Sequence, residues 1–193
     1  MAASLVFRLV IVLTLLMATG CTEQNPSSEP PSGVAADPPL VIASWDEVQQ
    51  MVAGHKGRVV VLDLWSTWCP PCMQEFPGLV ELHQEFPEDV TCISVSIDFI
   101  GLDDETPESA RGNVMAFLKE KRAFFENVIC SDTDEVVLDK ISLSSIPAVM
   151  VYGRDGELLE TFKNDDGTYG EEFTYQDHVR PRVKAAMDAA DED

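Results

Sequence analysis

The sequence predicts an α/β fold in which a central mixed β-sheet carries helices on both faces. Two observations set the class. "RVVVLDLW" (58–65) and "VTCISVSID" (90–98) are nearly continuous apolar runs, the composition of strands buried on both sides. Late in the chain "IPAVMVYG" (146–153) and "GELLETFK" (156–163) flank the turn "RDG", as in an antiparallel hairpin. Parallel strands joined by helices and closed by a hairpin require both faces of the sheet to be covered.

Taken in order, "SWDEVQQMVAG" (44–54) reads as a short helix, with Ser44 as N-cap, Glu47 three residues later and Gly54 near the stop. After the strand at 58–65, a helix runs from Cys69 to about Phe86, with Phe76, Leu79, Val80, Leu82 and Phe86 at helical spacing. The strand at 90–98 leads to a helix over 106–125, opened by a Thr cap and Pro107. A short strand (127–130), a short helix (134–142) and the hairpin follow. A closing helix covers 174–190, which Pro181 should kink or delay. No internal repeat is visible.

The chain starts "MAASLVFRLVIVLTLLMATGC": Arg8, an apolar stretch from Leu9 to Met17, small residues, then Cys21. This is the layout of a secretory signal over residues 1–20, too short for a comfortable membrane span. "MATGC" also fits a bacterial lipobox, which would lipidate Cys21 and make it the first mature residue. A plain cleaved signal with Cys21 incidental is the alternative. Residues 22–39 hold five prolines and almost nothing large and apolar. They read, with Cys21, as a disordered tether (21–39) that holds a folded domain (40–190) off a membrane surface.

The formal charge is −21. Losing residues 1–20 removes Arg8 and no acid, which leaves −22. Such a surface repels nucleic acid and anionic lipid headgroups. It suits basic partners, or serves only solubility, since the acids are scattered.

"WSTWCPPC" (65–72) sets two cysteines two residues apart, where a strand ends and a helix begins. A zinc site wants a second Cys or His pair, and His55, His83 and His178 are scattered. No metal and no cofactor is therefore assigned. A structural staple over so short a loop would restrict the unfolded chain little. At a helix N-terminus the free N–H groups and the dipole stabilise a thiolate. Cys69, as the first helical residue, faces that positive end, and Cys72 lies one turn behind and less exposed. That asymmetry makes a nucleophile and a resolving thiol. Export adds an oxidising compartment in which disulfides persist. Cys92 and Cys130 fall in strands that would be parallel neighbours, and read as buried free thiols.

The stretch "VVVLDLWSTWCPPC" resembles the strand and active-site turn of thioredoxin-like proteins. It is most like the membrane-tethered, extracytoplasmic TlpA/ResA-like thiol–disulfide oxidoreductases, over about residues 40–165. Four further positions match individually: Asp63 the buried aspartate, Pro77 the proline that kinks the active-site helix, Glu75 a glutamate kept near the cysteines, and Pro147 the cis-proline. The resemblance implies a thioredoxin-like fold. It implies a redox-active Cys69–Cys72 disulfide, catalytic help from Asp63 and Glu75, and a substrate surface made by Trp68, Pro70, Pro71, Ile146 and Pro147. Trp65 reads as core.

An isolated acid in an apolar strand is costly, so Asp63 should have a raised pKa and could exchange a proton with Cys72. The alternative is a backbone-bonded aspartate at a bend, and Glu75 could lie on a solvated helix face. The Pro-Pro dipeptide departs from thioredoxin's Gly-Pro, so the direction of electron flow does not carry over. The expected function is reduction of disulfides in partner proteins, with apocytochrome c the leading substrate class. It requires a membrane electron-donor thiol protein. A peroxidase on the same fold and a non-enzymatic metallochaperone are the alternatives. "STWC" superficially fits a peroxidatic frame, against which the second cysteine argues.

Overall fold

The computed structural model describes residues 36–170 and 172–189. The signal segment, Cys21 and most of the tether lie outside them. Six strands, β1 (Val41–Ala43), β2 (Val59–Trp65), β3 (Val90–Ser96), β4 (Glu126–Cys130), β5 (Ala148–Tyr152) and β6 (Leu158–Lys163), form one sheet in the order β1-β4-β3-β2-β5-β6. The first four positions in that order are parallel, and β5 and β6 are antiparallel, as the apolar runs and the hairpin required.

Alternation within the fully buried strands splits the core in two. Val59, Val61 and Trp65 of β2 pack with helices α2 (Pro70–Glu85), α3 (Arg111–Lys121) and α5 (Arg180–Asp188). Val60, Leu62 and Leu64 pack on the other face with α1 (Trp45–Gly54) and α4 (Asp134–Lys140). Period-two side chains with helices on both sides give the three-layer sandwich its shape.

Several boundaries differ from the sequence expectation. β1 was not foreseen: three residues directly ahead of a capped helix carry too little pattern. Residues 36–39, expected as tether, meet the domain. Asp37 pairs with Lys119 (2.8 Å), Pro38 is buried, and the Pro39 carbonyl accepts from Asn127 Nδ2 (3.0 Å). The helix expected over 106–125 begins as a 3₁₀ turn (Pro107–Ala110) and ends at Lys121, where Arg122 turns left-handed (φ 58°) and sends Ala123 and Phe125 into the core. The closing helix opens with a π turn (Tyr175–Val179) capped by Thr174, and regular α-helix starts only at Arg180, so Pro181 sits in its first turn and delays it. The Ser44–Glu47 capping box is present as read.

Candidate active site

Cys69 and Cys72 are disulfide-bonded, with Cα atoms 5.3 Å apart. Cys69 is the N-cap of α2 and not its first helical residue, and its Sγ accepts from the Cys72 N–H (3.3 Å). That corrects the expectation in detail and preserves its physics, because an orphan N–H still points at this sulfur. The expected exposure difference is slight: both cysteines are buried, at 5% for Cys69 and 2% for Cys72.

The loop ahead of Cys69 is held by an acid that sequence reasoning passed over. Asp98, just beyond β3, accepts from the Thr67 N–H (3.0 and 3.1 Å), the Thr67 hydroxyl and the Ser96 hydroxyl (2.6 Å). The available signal was an aspartate directly after a buried apolar strand, at the strand end that parallel pairing sets beside the CxxC turn. Trp68, next in the loop, is 54% exposed, while Trp65 is fully buried against Phe76 and Phe117. Ile100 (41%) and Leu102 (64%) stand exposed on the loop after Asp98, whose backbone Glu105 holds by accepting from both of their N–H groups.

Pro70 is exposed, Pro71 and Ile146 are half-buried and Pro147 is buried. The Ile146–Pro147 peptide is cis, as the resemblance implied. Ile146 touches both halves of the core at the start of β5. Pro77 lies inside α2.

Asp63 is buried (3%) in the middle of β2, on the face that carries Val61, Trp65 and the two site cysteines. Its register neighbours are Ser94, which donates to Asn127 Oδ1 (2.7 Å), and the apolar Val149. The Asp63 partner is a side chain and not backbone: the Tyr175 hydroxyl donates to Oδ2 (2.7 Å). Burial pushes the Asp63 carboxyl up to about 7, the Tyr175 bond opposes the rise, and the Glu75 charge adds to it. Glu75 is half-buried and accepts the Tyr175 backbone N–H (2.8 Å), so it is not on a solvated face. Tyr175 lies 112 residues beyond Asp63, and no local pattern marked it as a site residue.

Cys92 and Cys130 are free and buried on opposite faces of the sheet, which rules out a bond between them in this fold. Burial raises both thiols, Cys130 to about 11 and Cys92 further. Among the described residues no group of three or more His, Cys, Asp or Glu could hold a metal, and no helix is long and apolar enough to cross a membrane.

The model of the Redoxin family matches residues 31–177. Thiol-disulfide oxidoreductase ResA of a Bacillus cereus strain is 27% identical over 166 residues, 81% of this chain and 86% of that protein. The protein of the same name from Bacillus subtilis (strain 168) is 27% identical over 159 residues, 81% and 83% of the two chains. A secreted Mycobacterium tuberculosis disulfide oxidoreductase, described as homologous to E. coli DsbE, superposes with a TM-score of 0.51 at 25% identity over 69% of this chain and 85% of that one. A DsbE-type thiol:disulfide interchange protein from Chlorobium tepidum gives 0.52 at 21%, over 70% and 84%. Set beside a CxxC pair on a helix N-terminus and a buried acid in the adjoining strand, these likenesses place the chain: it belongs to the redoxin family and is a thioredoxin-like thiol–disulfide oxidoreductase.

Proposed function

We propose that the protein is an exported reductase of protein disulfides, tethered to a membrane through lipidated Cys21, with apocytochrome c the leading substrate. The observation that carries the thiol–disulfide chemistry is Asp63, a carboxyl buried on the core face that holds both cysteines, bonded by the Tyr175 hydroxyl and pushed up to about 7 by burial. Export, the anchor and the substrate class rest on the signal-like start, Cys21 and the likeness to ResA-type proteins.

The reduced form starts with Cys69 as thiolate, favoured by the α2 N-terminus, and Cys72 as thiol. Cys69 Sγ attacks one sulfur of the substrate disulfide. A mixed disulfide forms, and the other substrate sulfur leaves with the electron pair and takes a proton from water. Cys72 then gives its proton to Asp63, and its thiolate attacks Cys69 Sγ. The Cys69–Cys72 bond closes, the mixed disulfide breaks, and the second substrate sulfur leaves to be protonated in turn. Two electrons have passed to the substrate, and a dithiol protein at the membrane restores them.

Trp68 stands exposed next to Cys69, and the Thr67–Asp98 bonds tie its loop to the loop that carries exposed Ile100 and Leu102, followed in sequence by Asp103, Asp104 and Glu105. Exposed apolar side chains with acids close by in the chain suit an extended, basic, partly apolar segment around a substrate cysteine.

The test uses reduced Cys72→Ser protein and purified apocytochrome c carrying its intramolecular disulfide. A mixed disulfide through Cys69 that Cys72→Ser cannot resolve, and that the native pair turns over, is the expected result. Failure of Cys72→Ser to trap any adduct, while native protein leaves the cytochrome oxidised, overturns the reading. The anchor is tested separately: native protein should partition with membranes and Cys21→Ser should not.

A further inference from the structure

Asp63 and Glu75 meet at one residue. The Tyr175 hydroxyl donates to Asp63 Oδ2 (2.7 Å), and the N–H of the same residue donates to Glu75 Oε2 (2.8 Å). The two bonds differ in kind. A phenol hydroxyl can donate to a carboxylate and, after turning its hydrogen, accept from a carboxylic acid. A backbone N–H only donates. The contact with Asp63 therefore survives a change of proton, and the contact with Glu75 suits a carboxylate that keeps its charge.

The turn that carries Tyr175 is fixed at its start and packed against α2. Thr174 caps its turn by accepting from the Asp177 N–H (3.1 Å), and the π turn places residues 175–179 ahead of α5. On α2, Gly78 leaves the space its ring root fills, since a Cβ there would lie 2.2 Å from Tyr175 Cβ.

The other groups around Asp63 do not substitute for it. From β3, Ser94 commits its hydroxyl to Asn127, and Cys92 is a thiol kept neutral by burial and by the Asp63 charge. From β5, Val149 is apolar. From α2 comes Glu75, whose charge opposes ionisation of Asp63, and the Cys69–Cys72 pair lies in the same half of the core. Arg58, whose field reaches Cys92, spends its guanidinium on the Pro87 and Val90 carbonyls. Among the described residues no cation bonds Asp63.

We propose that Tyr175 is the positioning residue of this redox centre, its hydroxyl holding Asp63 through both protonation states and its N–H fixing Glu75. This rests on the reading of Asp63 as acceptor of the Cys72 proton. In that step the proton moves from Cys72 Sγ to Asp63 and the sulfur–sulfur exchange follows as above. Tyr175 neither gains nor loses a proton; its hydroxyl only reverses the sense of its hydrogen bond.

Tyr175→Phe in the full chain removes the hydroxyl and keeps the ring and the N–H. Two measurements on it separate the claims. The first is an infrared titration of the protonated Asp63 carboxyl, identified as the band missing in Asp63→Asn. The lost bond favours the charged form, so the midpoint should rise by about one pH unit. The second is the rate of mixed-disulfide resolution against pH. It should fall about fivefold at neutral pH and recover by about pH 9, where the carboxyl ionises again. Adding Tyr175→Phe to Asp63→Asn should cost nothing further. A midpoint unmoved in the infrared, or a loss of rate equal at every pH, overturns the positioning role. A moved midpoint with an unmoved rate profile supports the hold on Asp63 and overturns Asp63 as the proton acceptor.

Discussion

A Cβ built on Gly78 would lie 2.2 Å from the Cβ of Tyr175, so the active-site helix and the closing turn touch where only glycine allows it. The contact sets the tyrosine at the depth from which its hydroxyl reaches Asp63 and its N–H reaches Glu75.

Gly78→Ala should therefore act as more than a packing defect. One methyl forced into this contact costs about 1–3 kcal/mol of stability. It should also shift the pH profile of disulfide exchange in the direction expected for Tyr175→Phe. Chemical denaturation and exchange rates on the same sample check both. A destabilised protein with an unshifted profile would mean that the turn moves as a unit with its bonds intact.

Asp63 gives stability a distinctive pH dependence. Its carboxyl rises from 3.8 to about 7 in the folded chain because burial penalises the charge. The unfolded chain thus ionises first, so the group's favourable contribution is complete below its unfolded pKa and is lost as pH climbs through about 7. The full swing is up to about 4 kcal/mol. Asp63→Asn should remove that part of the slope and leave the oxidised protein more stable than native at alkaline pH. Urea unfolding at acidic and alkaline pH, compared as mutant minus native, decides it. An equal difference at both ends would place the proton elsewhere.

Of the four cysteines in the folded domain, one should react when the protein is reduced. Cys69 receives the Cys72 N–H at the helix N-terminus, whereas burial raises the thiols of Cys92 and Cys130. Brief iodoacetamide treatment at neutral pH should give a single adduct on Cys69, located by mass spectrometry. Adducts spread over Cys69 and Cys72 would contradict the assignment of nucleophile and resolving thiol.

Asp98→Ala should loosen the redox loop from behind. It orphans the Thr67 N–H and hydroxyl and the buried Ser96 hydroxyl, at a cost of about 2–4 kcal/mol. Exchange with a small disulfide should slow together with exchange on a protein substrate, because the loop that carries Cys69 is displaced for both.

Trp68→Ser separates docking from chemistry. Trp68 is exposed and its loop stays anchored through Thr67, so exchange with a small disulfide should hold within about twofold. KM for a protein disulfide should rise about tenfold, the loss of one large aromatic contact. Equal effects on both substrates would make Trp68 part of the loop's support.

The local sequence determined the layers and the reacting pair. Short β-branched apolar runs bounded by polar turns read as strands covered on both faces, and "WSTWCPPC" between such a run and a helical pattern leaves little chemistry but thiol exchange. Asp63 stood out for the same reason, as one charge in a run that excludes charges. Tertiary structure alone decided what surrounds it. Tyr175 reaches Asp63 across 112 residues, from the π turn that precedes α5. Asp98 meets Thr67 only because β2 and β3 pair in parallel and end together. Periodicity records which face of an element is buried; it holds no information on which distant side chain arrives there, since that is fixed by sheet order and the angle at which α5 returns. The identity of the thiols was written in the chain, and the acids' protonation was left to the fold.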